Sequence, residues 1–584
     1  MSGRSRGLLM VALLAVCVPL VLSFSSQSEA IQTPFRFQLR LGEAAGAEIS
    51  DLGLDVPVVG RAFVIVTRNT RREPRQQVGV TGVPFWGKDV RDLRPSAVVT
   101  LDAGDEGIVG YPLESLRDLP AGEYSVQAFL SVYTRFERAD GHTVEMHLNS
   151  GAGQSMWRAP GNVYSEPQRL TLNPDQGGTF TLDLSKVIHP IEPLLDGEVL
   201  QQGNPRDTEW VKFIKIRSEL LSEFWGRDMY IGANVLLPKG FDEEPNVKYP
   251  VIYMQGHFPG RRAPFGFTQD ATSGRAADLS QYWLGDDSPR VLGVTFREAN
   301  PFYDTSYDIN SANMGPSGDA IVQELIPHIE QQFRGIGEPW ARVLAGGSTG
   351  GWEALALQVY YPDDFGGTWA WCPDPVDFHY YQIVNIYEDD NAYFTEYEWH
   401  RVERPNARRP DGNIRNTMRQ ENLYELAKGP NSRSGGQWAV WEALFSPVGP
   451  DGYPQPVWNM ETGVIDHEVA EYWRERYDIN HYLQQNWETL GPKLRGKIHV
   501  ATGDMDSYYL NEAVYLLQDF LDSTTNPPAE ATFEYGWRRP HCFIGHSPTG
   551  SGEDLSYSEF VGITAEQMWS NAPPGADRSW WTKR

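Results

Sequence analysis

Cysteine is nearly absent from this chain: 584 residues contain three, and one of those, Cys17, lies in the leading apolar run. A disulfide scaffold is excluded, and Cys372 and Cys542 permit one bridge at most. Apolar runs of membrane-spanning length are missing beyond the leader, which argues against a helical multi-span protein. Positive charge is scarce as well. Fifty Lys and Arg against 77 Asp and Glu leave a formal net charge of −27, which opposes binding to nucleic acid or to an anionic membrane surface. No internal repeat precedes residue 200, which speaks against a propeller. The acidic stretches "GDMD" and "YEDDNAY" lack the ligand spacing of a calcium loop, and His257, His541 and His546 lack that of a zinc site, so no metal is expected.

What is present begins with a leader. Arg4 and Arg6 precede an apolar run from Leu8 to Leu22, followed by Ser28-Glu29-Ala30, a small-x-small cleavage pattern. Residues 1–30 are expected to be a secretory signal that sends the protein to the periplasm or outside the cell. A lipoprotein anchored at Cys17 and an uncleaved membrane anchor are the minor alternatives. After signal removal no stable span is expected.

Residues 31–188 read as short alternating runs, among them "FRFQLRL", "RAFVIVT", "YSVQAFLSVY" and "GTFTLDL", separated by turn-rich segments. Period-two alternation without a long helical stretch predicts an antiparallel β-sandwich of immunoglobulin-like kind. Residues 189–209 read as a linker. From 210 to 584 strands and helices alternate, which predicts an α/β layer architecture with a mostly parallel sheet flanked by helices. "YPVIYMQG", "RVLGVTF", "ARVLAGG", "GGTWAWC", "KIHVATG" and "ATFEYGW" are its strands, and "GDAIVQELIPHIEQQF" is an amphipathic helix. A tryptophan- and tyrosine-rich insertion at about 374–493 interrupts the alternation, in the usual place for a lid.

The chemistry gathers around "LAGGSTGGWEAL". Gly346-Gly347-Ser348-Thr349-Gly350 matches G-x-S-x-G, in which small neighbours permit the tight strand-to-helix turn that exposes a nucleophilic serine. The pattern is weak in a chain with 56 glycines. Its position between an apolar strand and an amphipathic helix carries the reading of Ser348 as nucleophile. A carboxylate and then a histidine should follow it in the chain. Asp506, in the turn after "KIHVATG", is the preferred acid and Asp504 the alternative. His541 and His546, after the last strand, both stand where the base is expected. The oxyanion hole needs two backbone N–H groups, expected from Thr349 and from His257 in the loop after "YPVIYMQG".

In their order, "YPVIYMQGHF", "GGSTGGWEALALQVYYPDDFGG", "GDMDSYYLNEAV" and "EYGWRRPHCF" resemble the α/β-hydrolase superfamily, and most of all secreted esterases of the esterase D and enterochelin-esterase type. The resemblance implies an α/β-hydrolase fold from about residue 210 and carboxylic ester hydrolysis through Ser348, His541 and Asp506, with no cofactor. A histidine-cysteine pair after the last strand often holds the base in such sequences, which favours His541 over His546. The related tannase and feruloyl esterase pattern carries a cysteine before the serine, paired with one after the histidine. Gly347 stands before Ser348 here, so that bridge is absent, and a Cys372–Cys542 bridge is an open alternative. The expected partner is a small-molecule or glycan-linked ester, since 17 of the 19 tryptophans follow residue 200 and aromatics of an insertion can stack on sugars or phenolic acids. A serine peptidase of prolyl-oligopeptidase type and a non-catalytic binding protein with a hydrolase fold are the alternatives.

Overall fold

The computed structural model describes residues 34–148, 155–190, 204–257, 262–298, 300–302 and 305–581. The leader at 1–30 and most of the linker at 189–209 lie outside the described residues.

In the N-terminal unit the alternating runs become strands. Phe35–Leu41 buries every second side chain, Phe35, Phe37, Leu39 and Leu41, as period-two pleating requires. It is the middle strand of a three-stranded sheet, between Gly178–Leu184 and Val98–Asp102. A larger sheet runs in the order Lys186–Val187, Val163–Tyr164, Gly122–Glu137, Val58–Thr67, Phe85–Leu93, Val109–Tyr111. Side chains of both sheets, such as Leu39, Leu182, Val64 and Leu130, share one apolar core.

Two features depart from the sequence reading. Phe35–Leu41 pairs in parallel with Gly178–Leu184, so the unit is not wholly antiparallel. A helix, Glu43–Asp51, follows the first strand; its Ala45 and Ile49, one turn apart, drop into the core.

The C-terminal unit is built on eight strands, numbered here as β1 (Val211–Ser218), β2 (Met229–Leu236), β3 (Val251–Gln255), β4 (Leu292–Arg297), β5 (Arg342–Gly347), β6 (Thr368–Trp371), β7 (Ile498–Gly503) and β8 (Thr532–Gly536). Their spatial order is β1-β2-β4-β3-β5-β6-β7-β8. Strand β2 is antiparallel to both neighbours, and every later pairing is parallel. This is the sheet of the α/β-hydrolase fold. Strands β4 and β6 are buried along their whole length, as expected of strands with helices on both faces. The helix α1 (Thr349–Tyr360) follows β5 directly. The amphipathic segment at 317–333 is helical, but Ile321–Leu325 is wound as a π-helix.

Between β6 and β7 the insertion forms two hairpins, Phe394–Tyr397 with His400–Glu403 and Pro405–Arg408 with Ile414–Thr417, followed by α2 (Met418–Lys428) and α3 (Gln437–Phe445). Thr417 starts α2 with a capping box closed by Gln420. Helix α2 then docks on the N-terminal unit: Leu423, Tyr424 and Ala427 pack against Phe63, Phe85 and Trp157. Val58–Thr67 is therefore covered on both faces, and "RAFVIVT" shows no exposed alternate positions.

A polar clamp completes this seam. The buried Arg61 guanidinium donates through Nε and Nη2 to the Ala427 carbonyl at 3.2 and 3.1 Å, in the last turn of α2, where unpaired carbonyls and the helix dipole favour a cation. Its Nη1 lies 2.6 Å from Asp89 Oδ1, and Arg433 reaches Asp89 Oδ2 at 2.7 Å. Burial opposes ionisation of Asp89, but the two guanidinium groups outweigh it and hold the carboxyl below its ordinary range. Removing Arg61 strands the Ala427 carbonyl and half of the Asp89 pairing. Arg61→Ala is expected to cost about 3 kcal/mol, read as a lowered urea midpoint, and Arg61→Lys should not restore it, because an ammonium cannot serve both acceptors in one plane.

Candidate active site

The turn between β5 and α1 is possible only for small residues. A Cβ on Gly346 would stand 2.2 Å from the Gly350 carbonyl oxygen, and one on Gly350 would stand 2.5 Å from the Gln255 carbonyl oxygen at the end of β3. Helix α1 thus begins in contact with two strand ends. Ser348, at the crossing, adopts φ 60° and ψ −126°, a conformation that costs a non-glycine residue about 1–3 kcal/mol and is held by its surroundings. Its N–H donates to the Trp371 carbonyl at 2.9 Å, and its carbonyl accepts from Gly351 and Trp352.

The side chain of Ser348 meets one of the two candidate histidines. Ser348 Oγ lies 2.8 Å from His541 Nε2, and His541 Nδ1 lies 2.7 Å from Asp506 Oδ2. An acceptor at Nδ1 assigns the ring proton there and leaves Nε2 free to accept from the serine hydroxyl. Asp506 is fully buried and is fixed by the Tyr508 and Leu510 N–H groups at 2.8 and 3.3 Å. Burial disfavours the charged His541 imidazolium; the Asp506 carboxylate, with Cys542 beside it, outweighs that and holds the ring's pKa well above its ordinary value. The other candidates stand elsewhere. His546 faces Glu534 at 3.2 Å on the surface, and Asp504 accepts from the Arg538 backbone.

Thr349 occupies the first position of α1, where a backbone N–H has no intrahelical partner. His257, directly beyond β3, shares a cavity wall with Ser348 and His541. Both N–H groups therefore belong to residues that border the serine.

Three features were not legible beforehand. Asp374 is buried beside the turn, in the wall of the cavity that Ser348 also lines, and accepts from Thr349 Oγ1 at 2.9 Å and from the Tyr307 hydroxyl at 3.1 Å. Burial raises its pKa despite those bonds. Cys372 and Cys542, free thiols 170 positions apart in the chain, come together with His541, their sulfurs and a ring nitrogen all within 4.8 Å. A Cβ on Gly347 would stand 4.0 Å from each sulfur. The Cys372 thiol, and then the His541 ring, bring Cys542 down to about 5 against the effect of burial. The third feature is Glu421 in the cavity wall: burial, and then the Glu425 carboxylate, lift it to about 8.

The cavity over Ser348 encloses about 930 Å³. Its walls come from α2, α3, the hairpin around Asn406 and Ile414, and Val80 and Thr81 of the N-terminal unit. Trp438 and Trp441 of the insertion face it, whereas Trp458 and Trp473 pack with Tyr381 in the insertion's own core. Gln382 Oε1, Asn406 Oδ1 and Trp441 Nε1 are buried in its walls without a hydrogen-bond partner.

Comparison with known proteins bears on the same region. A family model described as "Putative esterase" matches residues 222–423. An endo-1,4-beta-xylanase/feruloyl esterase of Xylanibacter ruminicola is 28% identical over 143 residues, 23% of this chain and 18% of that protein, so the match spans less than a fifth of the relative's length. Among solved structures, a ferulic acid esterase aligns with 62% of this chain and 99% of its own at 16% identity and a TM-score of 0.34. An S-formylglutathione hydrolase from Agrobacterium tumefaciens aligns with 63% and 98% at 12% identity and a TM-score of 0.31. The strand order and the serine turn are those of an α/β-hydrolase fold, and the putative-esterase model matches residues 222–423, which take in the turn and strands β2 to β6.

Proposed function

We propose that the chain is a carboxylic ester hydrolase in which Ser348, His541 and Asp506 form a catalytic triad. The observation that carries this reading is the unbroken line from Ser348 Oγ through both His541 nitrogens to Asp506. Ser348 attacks the ester carbonyl while His541 Nε2 takes its proton, and Asp506 orients the ring and stabilises the imidazolium. The tetrahedral oxyanion is received by the Thr349 and His257 N–H groups, each such donor lowering the barrier by about 3–4 kcal/mol. His541 returns the proton to the leaving alcohol. Water, activated by the same ring, then cleaves the acyl-serine.

The cavity supports an ester of a polyhydroxylated or phenolic compound. Buried amide oxygens on Gln382 and Asn406 and the Trp441 indole N–H are costly to leave unpaired, by about 1–3 kcal/mol each, and ligand hydroxyls can satisfy them. Trp438 and Tyr424 offer flat apolar faces beside them. The feruloyl esterase relative is in keeping with a glycan-linked aromatic ester as substrate. Around this core we assign residues 1–30 as an export signal on their charge and cleavage pattern. We further assign 31–188 as an immunoglobulin-like sandwich, 189–209 as a linker and 210–584 as the catalytic domain with a lid at about 374–493.

A fluorophosphonate probe should label the wild type and fail on Ser348→Ala; equal labelling of both would end the proposal. On a short-chain aryl ester, His541→Ala should lose about 10⁴-fold or more in kcat, while His546→Ala stays within a few-fold of wild type.

The raised pKa of His541 sets a pH dependence. The base works only when neutral, so kcat/KM falls as pH drops through the pKa of His541 in the free enzyme, which lies well above that of an ordinary imidazole. Because Cys542 contributes to the rise, Cys542→Ser should move this acid limb to lower pH. A limb that stays in place would show that the cysteine exerts no such influence.

A further inference from the structure

Three carboxylates, one of them on α1, meet in the protein interior. Glu298 follows β4, Asp308 lies in the next loop, and Glu353 sits on α1 five residues beyond Ser348. All three are at least nine-tenths buried, at 5%, 1% and 1% exposure. One oxygen from each lies within 4.8 Å of the other two. Neither oxygen of Asp308 accepts from an amide, ammonium, guanidinium or hydroxyl donor, and the polar group it meets is the Glu298 carboxyl. The charges that act on Asp308 are those of Glu353 and Glu298, both of its own sign, and with burial they push its pKa well above the ordinary value.

Burying one uncompensated carboxylate is costly, and three together are prohibitive unless protons or a cation neutralise them. We propose that Glu298, Asp308 and Glu353 form a binding site for a hard divalent cation of calcium's size. The donor set is all oxygen and anionic, which suits calcium or magnesium and not a soft metal. Full burial favours calcium of the two, since magnesium gives up its waters reluctantly and is seldom held by an all-protein cage. Ser306 Oγ, buried without a partner in the same loop, is a further oxygen donor within two residues of Asp308.

The site would tie the loop that carries Asp308 to the nucleophile's helix. Thr305 Oγ1 already donates to Glu353 at 2.8 Å. Between Thr305 and Asp308 stands Tyr307, whose hydroxyl lies 3.1 Å from Thr349 Oγ1 and donates to Asp374. An ion joining the loop to Glu353 therefore stiffens the backing of Thr349, next to the nucleophile. Its role is structural, since no carboxylate of the cluster lines the cavity over Ser348.

The full chain, purified without chelator, should carry about one calcium per molecule by plasma mass spectrometry. After dialysis against EGTA, CaCl2 at about a hundredfold above its Kd should raise Tm by a few degrees, and MgCl2 at the same concentration by less. Asp308→Asn should abolish both the bound metal and the calcium response. A wild type that holds no divalent ion and whose Tm ignores CaCl2 would overturn the site, above all if Asp308→Asn is simply more stable, as expected of carboxylates that share protons. An Asp308→Asn protein that still binds and responds like wild type would place the ion elsewhere and overturn it too. If that variant fails to fold, the wild-type titration decides alone. These readouts do not depend on ester hydrolysis, so the site and the proposed activity stand or fall separately.

Discussion

Much in this structure depends on how closely α1 approaches the strand ends it springs from. Backbone atoms of β5, β3 and α1 pass one another at distances that leave no room for a Cβ at Gly346 or Gly350. That contact forces Ser348 into its strained conformation and lifts its hydroxyl out of the sheet. It also sets Glu353, on the same helix, into the interior about one turn further on. The exposed Ser348 hydroxyl and the burial of Glu353 both follow from one backbone crossing.

The second constraint is the seam between the two units. Helix α2 covers the larger N-terminal sheet with Leu423, Tyr424 and Ala427, and Arg61 and Arg433 bind Asp89 beneath it. The same helix places Tyr424 and Lys428 in the wall of the cavity over Ser348, where Val80 and Thr81 join them from the N-terminal unit. The β unit is thus part of the cavity's construction, and the insertion is braced between sheet and serine. Dense aromatic packing of Tyr381, Trp438, Trp441, Trp458 and Trp473, with ring centroids 5.1–5.7 Å apart, gives the insertion a core of its own.

Several parts of this arrangement were legible in the residues and others were not. "FRFQLRL" announces a half-buried strand because its alternation survives in the fold, whereas "RAFVIVT" is buried on both faces, which no local pattern reveals. The π-wound stretch Ile321–Leu325 leaves the apolar spacing of "GDAIVQELIPHIEQQF" intact, so the sequence reads as one helix. Asp374 was missed because it follows "WAWCP" without any motif, and Glu298, Asp308 and Glu353 because each is a lone acid in a different element. The tryptophans divide by position: Trp438 and Trp441 reach the cavity while Trp458 and Trp473 do not, although their local sequences give no reason for the difference.

Local pattern is enough to read the succession of strands and helices, the turn at Ser348 and a short set of downstream acids and histidines. These follow from local forces, namely the period of apolar residues and the freedom of glycine. Which member of each set meets the serine depends on long-range packing. His541 reaches it across 193 positions of chain, where the loop after β8 is held to the end of β7 by the Asp504 and Met505 N–H groups on the Gly536 and Arg539 carbonyls, and His546, five residues later, turns outward to Glu534. That packing likewise decides that Cys372 lies beside Cys542 and that three acids share one buried pocket. Contacts of that kind depend on how strands are ordered in the sheet, and strand order is set by the burial of the whole core.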